Sequence, residues 1–175
     1  MCANNKMILT GFLLILIMCL CACSNKDISS AHLSFDQLAE GYSAADTEED
    51  GCIVFEDSKL ISGEDIWNDF MITVERKQPC CIRIAQYYSE ENNLCLTDLS
   101  YNISSFEVST NEGLSKEYRY LNHYKTDSEN SDDSIIDRYV LTNQKDVKYD
   151  EIELSMKSSF LGDAIDHYVV YCNLT

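Results

Sequence analysis

The chain has one proline, Pro79, and only six glycines in 175 residues. That scarcity excludes a collagen-like or proline-rich linker protein and points to ordered elements joined by polar turns. Positive charge is scarce as well, with 13 Lys and Arg against 30 Asp and Glu and a formal charge of −17. A surface of that sign repels phosphate backbones and anionic headgroups, so nucleic-acid binding is not expected. Histidine occurs three times, at His32, His123 and His167, with no pair at a helical ligand spacing. There is no C-x-x-C, phosphate loop, dinucleotide fingerprint or nucleophile elbow. No cofactor and no catalytic residue are assigned, and the chain is not expected to be an enzyme.

Long apolar runs are limited to one. Met7 to Ala22 follows a short polar lead carrying Lys6 and spans sixteen residues. As a helix it reaches ~24 Å, short of the ~30 Å hydrocarbon core of a bilayer. It reads as the core of a signal peptide. The run closes on Leu20-Cys21-Ala22-Cys23, followed by Ser24-Asn25-Lys26-Asp27. These four residues resemble the lipobox of bacterial lipoproteins, with Cys21 standing where a small Ala, Ser, Thr or Val is usual. The resemblance implies a diacylglyceryl group on the Cys23 thiol, cleavage in front of it, and a mature chain held on the outer, extracytoplasmic face of the cell membrane. Two acyl chains, at ~0.8 kcal/mol per buried CH₂, hold a soluble domain at a bilayer where one is marginal.

The organisation that follows is a signal peptide over 1–22, a lipid-anchored polar tether over 23–33, and one domain over 34–175. Without residues 1–22 the chain keeps 153 residues, enough for one domain with its own core. Four of the nine cysteines lie in the signal and lipobox, leaving Cys52, Cys80, Cys81, Cys95 and Cys172. An odd count cannot pair completely, and adjacent Cys80 and Cys81 point to opposite faces of a strand. Thiols acting as small apolar side chains are expected, with one bridge involving Cys95 or Cys172 as the alternative in an exported protein.

Within the domain, Phe35 to Tyr42 suggests a short helix. Ile66, Trp67, Phe70, Met71 and Val74 make a clear helical stripe, predicting a helix over 63–77 with Ser62 as N-cap and Pro79 as its stop. After Pro79 the period becomes two, and strands are predicted over 80–88, 94–101, 104–110, 115–125 and 135–142. A second helix is predicted over 148–159, ended by Gly162, and a last strand over 165–174. Runs of strands with few helices imply an α+β domain, a mostly antiparallel sheet with two main helices packed on it. The segments D-G-C-I-V-F-E-D, I-R-I-A-Q-Y-Y, Y-V-L-T-N and I-D-H-Y-V-V-Y resemble small lipoproteins of Gram-positive anaerobes with no assigned activity. The resemblance implies a fold and a location and no mechanism.

Two acidic stretches are candidate cation sites. Asp46, Glu48, Asp50, Gly51 and Asp57 follow the order of an EF-hand calcium loop. The twelfth place holds Asp57 in place of the usual Glu, and residues 52–56 have strand character, so 47–50 reads as a solvated turn leading into a strand. The loop carrying Asp127, Glu129, Asp132, Asp133 and Asp137 lacks regular oxygen spacing and reads as a solvated hairpin tip. Asp166 and His167 are neighbours on a strand and should face apart. The strand tyrosines read as the layer between sheet and helix. The function expected is that of a membrane-anchored, non-catalytic binding or envelope-associated module whose protein or peptide partner is unidentified. A calcium module and a small extracytoplasmic enzyme are the alternatives.

Overall fold

The structure, a computed structural model, describes residues 32–127, 134–157 and 164–174. Strand β1 (Ile53–Glu56) is apolar on both faces and turns back into β2 (Lys59–Ser62) through Asp57 and Ser58, both in the left-handed region. Helix α2 (Glu64–Glu75) then crosses to β3 (Cys80–Tyr88), which lies parallel to β1; α1 (Ala44–Glu49) precedes them both. Strands β4 (Asn93–Tyr101), β5 (Phe106–Thr110) and β6 (Ser115–Tyr118) follow antiparallel. The order β2-β1-β3-β4-β5-β6 makes a six-stranded sheet. Strands β7 (Tyr120–Asp127), β8 (Ile135–Thr142) and β9 (His167–Leu174) make a three-stranded one, and α3 (Tyr149–Lys157) joins β8 to β9. The α+β class expected from the sequence is present, with two sheets in place of one.

The sheets share a core because they meet on both sides. At one seam only Arg119 separates β6 from β7, and its N–H bonds to the Thr142 carbonyl at 3.2 Å. At the other, Leu174 N–H bonds to the Ser58 carbonyl at 3.1 Å, and Leu60 N–H to Asn173 Oδ1 at 3.1 Å. The predicted strand 115–125 is therefore two strands in different sheets. Tyr118, Tyr120 and Tyr124 keep an even spacing although Tyr118 packs in the shared core and Tyr124 on the other face with Val140 and Ile152, so the corner at Arg119 leaves no mark on the sequence pattern.

Helix α2 supplies the apolar stripe that fills the shared core. Trp67 lies 4.6 Å from Tyr171 and 4.9 Å from Tyr139, ring centre to ring centre, and Phe55 meets Tyr171 edge-on at 5.0 Å. Tyr101, Tyr118 and Tyr171 are buried with them. Ser62 belongs to β2, and the N-cap is Gly63, at φ +86. A Cβ at Gly63 would stand 2.8 Å from Ile53 Cα and 2.9 Å from the Cys52 carbonyl oxygen, so the helix approaches β1 that closely only because the residue is glycine.

The outer faces are covered more thinly. Residues 32–42 contain a 3-10 turn, Phe35–Gln37, in place of an α-helix, and lay Phe35, Leu38 and Tyr42 over Cys52, Val54, Ala85 and Leu96. On the three-stranded sheet, Ile152 of α3 packs on Val140 and Val147. Gly162, predicted to end α3, lies outside the described residues.

Candidate functional site

The EF-hand-like carboxylates are dispersed among separate structural tasks. Asp46 closes a capping box at the start of α1: it accepts the Ser43 N–H at 2.7 Å and the Ser43 hydroxyl at 2.6 Å, and Ser43 Oγ accepts the Asp46 N–H. Those hydrogen bonds hold its carboxyl below the ordinary range. Thr47 is buried and Glu48 exposed, so residues 47–49 complete a helix and are not the expected turn. Asp50 accepts the Tyr42 hydroxyl at 2.7 Å. Asp57 sits at the β1–β2 tip and accepts the Ser89 N–H at 3.0 Å together with the Ser89 hydroxyl, which lowers its pKa. Among the described residues no group of three or more His, Cys, Asp or Glu is placed to hold a metal ion. The capping pattern Ser43-x-x-Asp46 is the sequence signal for α1.

Cys23 and its lipobox lie outside the described residues, as do Glu129, Asp132 and Asp133 of the acidic loop. Among the described residues no helix is long and apolar enough to cross a membrane. Asp166 lies just before β9 and takes a separate partner from His167: Asp166 pairs with Lys116, and His167 Nδ1 meets the Ile165 carbonyl at 2.7 Å. His32 is half-buried, and burial with the nearby Arg83 charge lowers its pKa. His123 Nε2 meets Asp137 at 2.6 Å, and Lys125 Nζ reaches the same carboxylate at 3.3 Å. The imidazole lies flat on Tyr139, centroids 4.2 Å apart. Among the described residues no hydroxyl or thiol hydrogen-bonds to this ring. The five cysteines of the domain are not in disulfides. Burial pushes Cys52 and Cys80 up to about 11, which keeps them protonated and unreactive at neutral pH.

The arrangement best suited to hold something else is a cleft of about 340 Å³ where β6 gives way to β7. Met71 and Val74 of α2 line its apolar side together with Tyr101, Phe106 and Leu121. Arg119 and Lys145 line its polar side, with Asp146 as the one acid among the lining residues. Neither cation forms an ion pair or side-chain hydrogen bond with another described residue, in a chain where carboxylates outnumber cations more than two to one.

One wall of the cleft is a strained turn. Ile103 stands at φ +82 and is 52% exposed, although β-branched residues are disfavoured there by ~1–2 kcal/mol. Its neighbours impose the conformation. Asn102 Oδ1 accepts the N–H groups of Ser104 and Ser105 at 3.1 and 3.0 Å and both of their hydroxyls, and the Tyr101 hydroxyl donates to the Ile103 carbonyl at 2.7 Å. An apolar side chain is thus fixed in solvent above an apolar floor. Sequence reasoning missed this cleft because its walls come from four separate segments. Asn102, opening a turn before two serines, was the one local signal.

No protein-family model, curated protein or solved structure matches the chain.

Proposed function

We propose that the chain is an extracytoplasmic lipoprotein, held on the outer face of the cell membrane through lipid on Cys23, whose α+β domain is a non-catalytic binding module. The observation that carries the anchor is the order of the first 23 residues: a short lead with one lysine, an apolar run too short to span, then Leu20-Cys21-Ala22-Cys23. The acidic domain suits that arrangement, since grafted acyl chains supply adhesion and the folded part needs no apolar face for the bilayer. The cleft beside Arg119 supports the binding role, being concave, mostly apolar and provided with two cations that pair with no other described residue.

Expression of the full chain in a bacterium that lipidates its lipoproteins tests the anchor. The protein is expected in the membrane fraction with an acylated Cys23 as first residue by mass spectrometry, and Cys23→Ala is expected to release it. Membrane retention of Cys23→Ala, or an unmodified mature start elsewhere, overturns the reading. The carboxylate placement does not favour the calcium alternative. Millimolar calcium is accordingly expected to leave Tm unchanged, and a clear rise would reinstate it.

A further inference from the structure

Strand β7 pairs with β8 along one edge, from Tyr120 opposite Thr142 to Asp127 opposite Ile135, and its other edge pairs with no described strand. Alternate residues of such a strand turn their N–H and C=O groups outward, so this edge offers a row of main-chain donors and acceptors that no described strand uses. The open edge continues the side of β6 that pairs with β5. That ladder ends at Phe106 opposite Tyr118, and the Asn102–Ser105 turn follows beside it. An added strand would lie in line with β5 and stop against this turn. The stopping point is the cleft: Tyr120, Leu121 and Asn122 line it from β7, Ile103 and Ser104 from the turn.

We propose that this edge and cleft together bind the C-terminal end of an extended peptide, added antiparallel to β7. The proposal rests on the binding-module reading above and names the class of ligand. Three independent features converge on it. The open edge supplies main-chain pairing, which is indifferent to sequence. The apolar floor under Ile103 accepts one large apolar side chain at the last position. Arg119 and Lys145, which pair with no other described residue in an acidic protein, lie where a terminal carboxylate would arrive, and charge-assisted hydrogen bonds to a carboxylate are the strong kind. A cleft of 340 Å³ is at the lower end for a small-molecule site and suits one or two residues. Asp146 on the same rim opposes a carboxylate, but Arg119 and Lys145 leave the charged lining net positive.

The test uses the full chain in detergent micelles and a pool of octapeptides of alternating apolar and polar residues ending in Leu, Ile or Phe. Each peptide is prepared as free acid and as amide. Hydrogen exchange is expected to slow across residues 119–127 on adding the acids, and the acids are expected to bind at least tenfold more tightly than the amides. Arg119→Ala, a change at an exposed side chain, is expected to abolish that difference. Ile103→Asn suits the left-handed backbone and is expected to raise Tm while weakening binding, a combination that a purely structural role would not give.

Unchanged exchange at 119–127 with millimolar acid overturns the proposal. If the peptides bind elsewhere, the binding-module reading survives; if they bind nowhere, it loses its support too. Protection of 119–127 that grows with protein concentration alone assigns the edge to a second copy and overturns the peptide. Equal affinity of acid and amide overturns the role of Arg119 and Lys145.

Discussion

Arg83 and Asp98 face each other across β3 and β4, joined by Nε to Oδ1 at 2.6 Å and Nη2 to Oδ2 at 2.7 Å. The arginine is 1% exposed and the aspartate 24%, and the Phe35 ring lies 4.6 Å from the guanidinium carbon. The pair therefore sits between the sheet and the segment that leads into the domain. Removing one partner leaves a buried charge uncompensated, whereas replacing both with apolar residues of similar size does not. Asp98→Ala is expected to destabilise by ~3 kcal/mol in urea unfolding, and Arg83→Met with Asp98→Leu by less than ~1 kcal/mol. A single change as mild as the double one would mean that the guanidinium is hydrated despite its burial.

Gly63 is the point where α2 and β1 come closest. An alanine there meets both a left-handed backbone, worth ~1–3 kcal/mol against it, and a Cβ overlap with backbone atoms that cannot swing aside. Gly63→Ala is expected to lose more than ~2 kcal/mol, while Gly113→Ala, at φ +93 with nothing within 4 Å, should lose only the conformational part. Equal losses at the two positions would contradict the close approach.

Alkaline pH should weaken the fold before it alters the carboxylate network. Burial holds the thiols of Cys52 and Cys80 up to about 11 and the Tyr171 hydroxyl up to about 12, against ~8.5 and ~10 in an unfolded chain. These groups stay neutral in the folded state while the unfolded state ionises. Stability is thus complete below ~8.5 and falls as pH rises through the folded values. The urea midpoint is expected to be flat from pH 7 to 8.5 and to drop by pH 10.5, with a shallower drop in Cys52→Ala. A midpoint unchanged to pH 10.5 would show that these groups meet solvent.

The elements most legible in the sequence are those with one clear period. Trp67 and Phe70 recur at helical spacing and mark α2, and Ile135 to Thr142 has the bounds predicted for β8. The β1–β2 hairpin was hidden because Asp57-Ser58 takes left-handed geometry usually given to Asn-Gly. Helix α1 was hidden by acidity that read as a loop. The second sheet was hidden because Tyr118, Tyr120 and Tyr124 keep an even spacing in the sequence, while in the fold the face toward the shared core passes from Tyr118 to Leu121 across Arg119. Nothing local marks Arg83 for burial, since its partner is on the next strand. The cleft shares that difficulty, being assembled from α2, the Asn102 turn, the start of β7 and the segment after β8.

The hydrogen bond from Leu174 to Ser58 bears on when the protein can form at all. The first hairpin receives its final neighbour from β9, more than a hundred residues later, so a ribosome must have made the chain through β9 before the enclosure can shut. Until then the early strands stand open on that flank, a ready grip for a chaperone and an opportunity for aggregation. Truncation by even a few residues at the last strand would leave that condition permanent.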